Sequence, residues 1–220
     1  MKNLSQNYAH PLIAAKQRYI VNQELVTMYD GKAPKLFDVV GKIIKRIGKL
    51  DKQNTFTMLD AACGTAYYSE VMDFLCPKVT IDYTGVDYNP GMVSLAHEYY
   101  PQLNVVEGNV LDLQFDNNAF DIVLSGATIA HVEDWKQAIR ELVRVTRTWL
   151  ILHRNPVWLN KTSSSFVVRR DYDVEVVVHR FNRRELGKFV TSLGMERIAT
   201  YGLRSPLDHE GYHTYVFRRI

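Results

Sequence analysis

The chain has 220 residues, of which 46% are apolar and 23% are charged, and its net charge is +3. These values are typical of a globular domain with one sizeable core and argue against a disordered chain. The two cysteines, Cys63 and Cys76, exclude a disulfide framework and favour the reducing cytoplasm as the location.

Targeting and membrane signals are not expected from the sequence pattern. The first residues, MKNLSQNYAHPLIAAK, have no long apolar segment and are interrupted by Pro11, so no signal peptide is predicted. No run of 18 apolar residues occurs, and no membrane span is therefore expected.

The charge is distributed unevenly along the chain. Residues 1–139 contain 12 basic and 16 acidic side chains, whereas residues 140–220 contain 15 and 8. A basic C-terminal third could attract an anionic small molecule, although a solvated basic face would explain the same bias.

Two stretches before residue 50 have the apolar spacing of helices. One runs from about residue 12 to residue 29, and the other runs from residue 34 to residue 50. Pro34 suits the first turn of the second helix, because its missing N–H group would be unpaired there in any case.

From residue 55 onward, short apolar runs alternate with helical stretches. Strands are predicted at 56–61, 81–87, 103–107, 120–125 and 149–153, with helices at 67–76, 90–99 and 134–146. This alternation predicts parallel strands joined by crossover helices, and hence an α/β, doubly wound fold.

After residue 155 the alternation becomes less regular. The sequence predicts a polar linker at 160–165, an extended segment at 172–181, a helix at 182–193, and strands near 195–202 and 212–219. No linker is long enough to divide the chain, so residues 1–220 are predicted to form a single domain.

The first strand leads directly into a glycine turn, Asp60-Ala-Ala-Cys-Gly-Thr-Ala66, which a helix follows. Ligands of open α/β sheets bind outside the carboxyl ends of the strands, and glycine lets them approach the backbone closely. We expect Asp60 to meet an ammonium group, and Ala62 and Gly64 to line the ligand. An ordinary turn capped by Thr65 is the alternative explanation.

The next two strand ends add to this pattern. Asp87 ends the second strand about twenty residues after the glycine turn, where nucleoside-binding proteins place an acid against the ribose hydroxyls. Tyr88 and Met92 follow it and could flank an adenine ring. Asn109 and Val110 follow the third strand and are expected to contact the adenine edge. Together these features predict a nucleoside ligand.

Four segments carry a family resemblance: MLDAACGTAYYSE, GVDYNPGMVSLA, EGNVLDLQF and FDIVLSGATIAHVEDWKQAIRELVRV. They resemble the class I S-adenosylmethionine-dependent methyltransferases, in the small-molecule branch related to ubiquinone and menaquinone biosynthesis. The likeness covers residues 55–155 and continues more loosely through HRFNRRELGKFVTSLGM. It implies a Rossmann-like, mostly parallel seven-stranded sheet of order 3-2-1-4-5-7-6 with an antiparallel last strand.

The resemblance also implies how one methyltransferase domain would be divided. Residues 1–50 would form a lid, residues 55–155 would hold S-adenosyl-L-methionine as the cofactor, and residues 156–220 would supply the substrate side and the terminal strands. Ser125, at the end of the fourth strand, would join the cofactor-binding residues.

Two positions depart from the family pattern. Ala66 stands where a small glycine is common, and we expect it to start its helix without harm, because alanine is a good helix former. Asn109 stands where aspartate is frequent. It keeps a carbonyl acceptor for the adenine amino group but loses the charge.

Three residues at strand ends are candidates for catalysis. Methyl transfer to a hydroxyl needs a positioned acceptor and a base. His131 lies six residues after Ser125, and His153 and Arg154 end the fifth strand. Either histidine could accept the proton, and Arg154 could bind an acidic substrate group. A structural histidine and a surface salt bridge are the alternative explanations.

The predicted reaction is therefore O-methylation of an anionic or sugar-like small molecule. No metal is expected, since Ser125 and His153-Arg-Asn155 supply no acid pair for magnesium. A nucleic-acid substrate is not expected, because the Asn/Asp-Pro-Pro-aromatic motif does not follow the fourth strand. A homodimer is compatible with the sequence.

Two alternatives remain open at this point. An NAD(P)-dependent oxidoreductase needs a similar strand, turn and acid, but only one glycine of its G-x-G-x-x-G pattern occurs here, Gly64. A non-catalytic S-adenosylmethionine-binding protein is the second alternative, since Ala66 and Asn109 depart from the family pattern.

Overall fold

The structure is a computed structural model and describes residues 4–171, 174–204 and 210–220. A short 3₁₀ helix, Leu4–Ala9, precedes two long helices, α1 (Pro11–Tyr29) and α2 (Lys35–Asp51). These helices lie where the apolar spacing predicts them. In the described part of the chain, no helix has both the length and the apolar character needed to cross a bilayer.

Nine strands and four α-helices make up the described part of the chain from residue 55 onward. The strands are β1 (Thr55–Ala61), β2 (Thr80–Asp87), β3 (Asn104–Glu107), β4 (Phe120–Gly126), β5 (Thr146–Trp158), β6 (Ser165–Asp171), β7 (Val174–Asn182), β8 (Met195–Arg204) and β9 (Glu210–Arg219). The helices between them are α3 (Tyr67–Leu75), α4 (Pro90–Tyr99), α5 (Trp135–Val145) and α6 (Glu185–Thr191).

The main sheet has the strand order β3-β2-β1-β4-β5-β9-β8. Strands β1 to β5 pair in parallel, and β9 runs antiparallel to both β5 and β8. Counted without the β6–β7 pair, this is the order 3-2-1-4-5-7-6 with an antiparallel last strand. The α/β, doubly wound prediction is thus confirmed.

A β-hairpin formed by β6 and β7 adds to the predicted sheet. Strand β5 continues to Trp158, and its last two residues, Val157 and Trp158, pair in parallel with Phe181 and Asn182 of β7. The prediction of a linker ending at residue 165 misses β6, because the sequence SFVVRRD shows no regular alternation. Residues 172 and 173 of the predicted extended segment lie outside the described residues.

Both faces of the sheet are buried under helices. On β5, Trp149 and Ile151 face the cluster that includes α2 and α3, whereas Leu150 and Leu152 face the cluster that includes α5 and α6. A central parallel strand needs apolar residues on both faces, which explains the continuous apolar run in its sequence. This packing fixes the carboxyl ends of β1, β2, β4 and β5 at one edge.

Candidate cofactor and acceptor site

The glycine turn connects β1 to α3 through an unusual backbone. Ala62, Gly64 and Ala66 all adopt the left-handed conformation, with φ angles of 59°, 57° and 59°. That conformation costs a non-glycine residue roughly 1–2 kcal/mol. Ala66 is the N-cap of α3 and is not in its first turn. The expectation that helix propensity makes Ala66 harmless is wrong, because the residue is not helical.

Asp87 joins the glycine turn to the start of α4. Its Oδ2 atom accepts the Gly64 N–H at 2.8 Å, and its Oδ1 atom accepts the Asn89 N–H at 2.9 Å. Burial raises the pKa of Asp87, and the backbone hydrogen bonds oppose that rise. Each carboxylate oxygen can accept a further hydrogen bond, so Asp87 can still bind ribose hydroxyls.

Asp60 is a buried carboxyl group that is only half satisfied. Its Oδ2 atom accepts the Tyr83 hydroxyl at 2.8 Å, while Oδ1 has no hydrogen-bond partner among the described residues. Burial raises the pKa of Asp60 to about 7; the Tyr83 hydrogen bond opposes that rise and the nearby Asp87 adds to it. Since an unsatisfied buried carboxyl is costly, Oδ1 suits a ligand ammonium group.

Other buried polar atoms near this edge are also unsatisfied. Thr65 Oγ1, Ser125 Oγ and Gln17 Oε1 have no hydrogen-bond partner within residues 4–171, 174–204 and 210–220. Gln17 belongs to α1, and a Cβ atom added to Gly64 would lie 2.5 Å from its Oε1 atom. Helix α1 therefore covers the glycine turn directly. These polar groups fit a nucleoside that carries an ammonium group.

The two residues predicted to flank the adenine ring, Met92 and Tyr88, differ in burial. Met92 is buried against Ile13 and Ala14 of α1, whereas the side chain of Tyr88 is 47% exposed. Asn89 connects this region to the N-terminal segment, since its Nδ2 atom donates to the Tyr8 carbonyl oxygen at 2.6 Å. Helix α1 thus shields Met92, and Tyr88 faces solvent.

The loop after β3 is stabilised by a hydrogen bond between two of its own residues. The Oδ1 atom of Asn109 accepts the Leu111 N–H at 3.0 Å, so the carbonyl predicted for adenine already holds a turn. The Val110 side chain is buried in the core, which leaves its backbone for ligand contact. A Cβ atom on Gly108 would lie 2.5 Å from Val86 Cγ2, so this loop requires glycine for close approach to β2.

His153 is fully buried inside β5, which continues to Trp158, so the prediction that His153 and Arg154 end the fifth strand is wrong. Its Nδ1 atom lies 2.8 Å from Thr214 Oγ1, and Nε2 has no hydrogen-bond partner in the described chain. Tyr68 packs edge-on against the ring, with centroids 5.7 Å apart. Burial, with a smaller effect from the Arg154 charge, lowers the pKa of His153 to about 3. The imidazole is therefore neutral at neutral pH and is a weak base.

His131 is held by three separate segments. It ends the 3₁₀ turn Thr128–His131 after β4, and its Nδ1 atom lies 3.0 Å from the Val177 carbonyl oxygen and 2.9 Å from the Tyr8 hydroxyl. A carbonyl oxygen only accepts hydrogen bonds, so Nδ1 carries the proton. In this tautomer of the neutral ring, the lone pair lies on Nε2.

Arg154 lies at an irregularity of β5. Its φ angle is 59°, and the pairing of β5 with β9 shifts register between Leu152 and Asn155. Its backbone N–H donates to Thr214 Oγ1 at 3.3 Å. Burial raises the pKa of Glu24 in α1 and the Arg154 charge opposes that rise, which places the guanidinium group near α1.

The structure brings five of the predicted residues to one edge of the sheet. Asp60, Gly64, Asp87 and Ser125 lie at the carboxyl ends of β1, β2 and β4, and His153 of β5 pairs with Gly126 at the end of β4, whereas Tyr88 and Asn109 are exposed. Within the part of the chain that the structure describes, no group of three or more His, Cys, Asp or Glu side chains is arranged to hold a metal ion.

Sequence reasoning missed several contributors to this edge. Asn89 has a recognisable signal, because Asn before Pro90 is a common helix start. Gln17, Tyr83 and Thr214 have no such local signal. Gln17 and Thr214 reach the site from α1 and β9, far away in the sequence, whereas Tyr83 lies on β2, the strand that ends at Asp87.

The sequence of this chain is similar to those of known methyltransferases. The sequence profile described as "Methyltransferase domain" matches residues 59–149. A demethylmenaquinone methyltransferase from Bacillus licheniformis is 31% identical over 94 residues, which cover 41% of this chain and 40% of the relative. The matches span about two fifths of the length of the first curated relatives.

Solved structures share the fold at low sequence identity. A SAM-dependent methyltransferase from Methanosarcina mazei has a TM-score of 0.63 and 18% identity, with 76% of this chain and 94% of that chain covered. The [4+2]-cyclase SpnF also has a TM-score of 0.63, with 13% identity and 81% and 80% coverage.

The fold alone does not decide the reaction, since SpnF is described as a cyclase. The family assignment therefore depends on the profile, whose residues 59–149 include the ends of β1, β2, β3 and β4, and on the curated relatives. Residues 59–149 match a methyltransferase domain, and the chain has the fold that a solved SAM-dependent methyltransferase shares.

Proposed function

We propose that this domain methylates a hydroxyl oxygen of a small anionic or sugar-like molecule, with S-adenosylmethionine as the methyl donor and without a metal. The acceptor would bind between α1, the ends of β4 and β5, and the β6–β7 hairpin. The observation that carries the proposal is a pair of buried polar atoms without hydrogen-bond partners among the described residues, Asp60 Oδ1 in β1 and His153 Nε2 in β5.

The cofactor-side residues have hydrogen-bonding capacity for each part of such a donor. S-adenosylmethionine supplies an activated methyl group when it is bound. Asp60 Oδ1 would hold its ammonium group, the backbone around Gly64 would line its methionine portion, and Asp87 would accept hydrogen bonds from its ribose hydroxyls. The Asp87 carboxylate can do so because its two backbone contacts leave lone pairs on both oxygens.

The two histidines are suited to different tasks. A general base works best when its pKa lies near the working pH, and burial lowers the pKa of His153 to about 3. His131 has a fixed Nδ1–H and a basic Nε2. We therefore assign proton acceptance to His131 and orientation of the acceptor to His153. Arg154 would bind an acidic group of the acceptor.

The test combines ligand binding with turnover. Purified protein is titrated calorimetrically with S-adenosylhomocysteine and with NAD, then incubated with S-adenosylmethionine and a panel of phenols, sugars and hydroxy acids. We expect heat with S-adenosylhomocysteine only, and S-adenosylhomocysteine formation above background with at least one hydroxyl acceptor. Binding without turnover on any acceptor would favour the non-catalytic alternative, and binding of NAD alone would favour the oxidoreductase.

A further inference from the structure

A second concave region lies beside α6, at the edge of the sheet formed by β8. It is a groove of about 1060 Å³ bounded by α6, by β8 and β9, and by the segment that follows β5. Its walls carry five cationic side chains and, among the described residues, one carboxylate, Glu185. The cations are Lys161, Arg183, Arg184, Lys188 and Arg197.

These cations are not neutralised by neighbouring acids. None of the five forms an ion pair with a carboxylate in the described chain, where the ion pairs involve other residues. The Oε2 atom of Glu185 accepts the Ser164 hydroxyl. Lys161 Nζ lies 3.8 Å from the centre of the Trp158 ring, which positions the ammonium group without cancelling its charge. The groove therefore has a strongly positive lining.

The floor of the groove consists of His213 and Tyr215. The Tyr215 hydroxyl donates to the Arg183 carbonyl oxygen at 3.3 Å, and His213 Nδ1 lies 3.2 Å from that hydroxyl. Burial raises the pKa of Tyr215 to about 12, and the charges of Arg197 and Arg183 oppose that rise. Both guanidinium groups therefore act on the same hydroxyl, so the charges converge on the floor.

The groove is separate from the cofactor crevice. Successive residues of a strand point to opposite faces of the sheet. On β9, His213 and Tyr215 line the groove, whereas Thr214 between them contacts His153 in the crevice. A ligand in the groove would therefore lie across the sheet from His153.

We propose that this groove binds a small phosphorylated molecule, held by Arg183, Arg197 and Lys188. Planar guanidinium groups pair bidentately with phosphate oxygens, and a lysine adds a compact charge. Small-molecule pockets typically measure roughly 300–1,000 Å³, so the space is sufficient for more than one phosphate group. The proposal does not depend on the methyl-transfer proposal.

Pyrophosphate is the probe for this site. It is titrated calorimetrically at low ionic strength into the wild-type chain, the double variant R183Q/R197Q and the control K78Q, whose exposed lysine lies after α3. We expect the double variant to bind at least about tenfold more weakly, because it loses charge-assisted hydrogen bonds. The control should bind as the wild type does.

Two outcomes would overturn the proposal: no heat when pyrophosphate is titrated into the wild type, or equal pyrophosphate affinity in the double variant. Thermal unfolding checks that each variant is folded, and the single variant K188Q replaces the double variant if that one fails to fold. S-adenosylhomocysteine binding, measured in parallel, distinguishes a failure of this site from a failure of the cofactor site.

Discussion

The two sides of the crevice are built from contacts of different sequence separation. On the cofactor side, Asn89 donates to Asp87 across two positions, and Gly64 donates to Asp87 and Tyr83 to Asp60 across 23 positions each. On the side proposed for the acceptor, Tyr8 contacts His131 across 123 positions, and Thr214 contacts His153 across 61. The hydrogen bonds of the cofactor side are thus encoded more locally, whereas those of the proposed acceptor side depend on the complete fold.

The largest expected effect is on turnover, at the acceptor side. We expect His131→Ala to reduce kcat by about 10²-fold or more, because the proton acceptor is lost. S-adenosylhomocysteine affinity should stay within about twofold, since no cofactor contact changes. Tyr8→Phe is the matched control, because it keeps the ring beside His131 and should reduce kcat far less. If His153→Ala alone abolished turnover, the base would be His153.

On the cofactor side we expect affinity to change first. Asp87→Ala should weaken S-adenosylhomocysteine binding by about 2 kcal/mol, because charge-assisted hydrogen bonds are lost and the glycine turn loses its link to Asn89. Calorimetry measures the effect, and Asp82→Ala, an exposed change on the same strand, is the control. Unchanged affinity in the Asp87 variant would place the ribose elsewhere.

The two sides should also respond oppositely to acid. Asp60 has its folded pKa raised to about 7, so the folded state binds its proton first and stability increases as the pH falls from 7 toward 3.8. His153 has its folded pKa lowered to about 3, so the unfolded state binds the proton first and stability decreases below pH 6.5. Each effect amounts to about 2 kcal/mol between pH 7 and pH 5.

Single variants separate these opposing contributions. Compared with the wild type, Asp60→Asn should lose about 2 kcal/mol more unfolding free energy between pH 7 and pH 5, and His153→Gln should lose about 2 kcal/mol less. Denaturant unfolding at the two pH values measures both. Shifts of the same sign in the two variants would contradict the assignment of the two groups.

The smallest expected effect concerns backbone strain on the two sides. Ala127, after β4, has a φ angle of 65°, and we expect Ala127→Gly to raise the unfolding free energy by about 1 kcal/mol. Ala66→Gly should raise the unfolding free energy by less, because it also removes a buried methyl group, whose burial contributes about 0.8 kcal/mol. Ala96→Gly, inside α4, is the control and should be destabilising. A lower unfolding free energy in the Ala127→Gly variant would contradict the backbone strain assigned to Ala127.

The sequence predicts the cofactor side of the crevice better than the side proposed for the acceptor. The glycine turn and Asp87 are predictable because a polar residue directly after a buried strand must lie at the sheet edge. Thr214 is not predictable, because its contact with His153 depends on the antiparallel register of β9 against β5. Gln17 is hidden for a similar reason, since only the packing of α1 brings it to Gly64.

The missed β6 strand shows another limit of sequence patterns. A half-buried strand is recognised by alternating apolar and polar residues, but in β6 both Phe166 and Val168 are exposed, at 63% and 50%. Arg169 and Arg170 follow them directly. The strand forms because β7 pairs with it along its whole length, so it depends on its partner more than on its own sequence.

The way in which β7 joins the main sheet has a consequence for how such a protein could diversify. Among the described residues, the strand pairs Val157 with Phe181 and Trp158 with Asn182 link this hairpin to β5. A hairpin of another length or composition could be inserted at that junction without shifting the register of the other strands. Acceptor preference could then change by exchange of one module, while the half of the domain that holds the methyl donor stays the same.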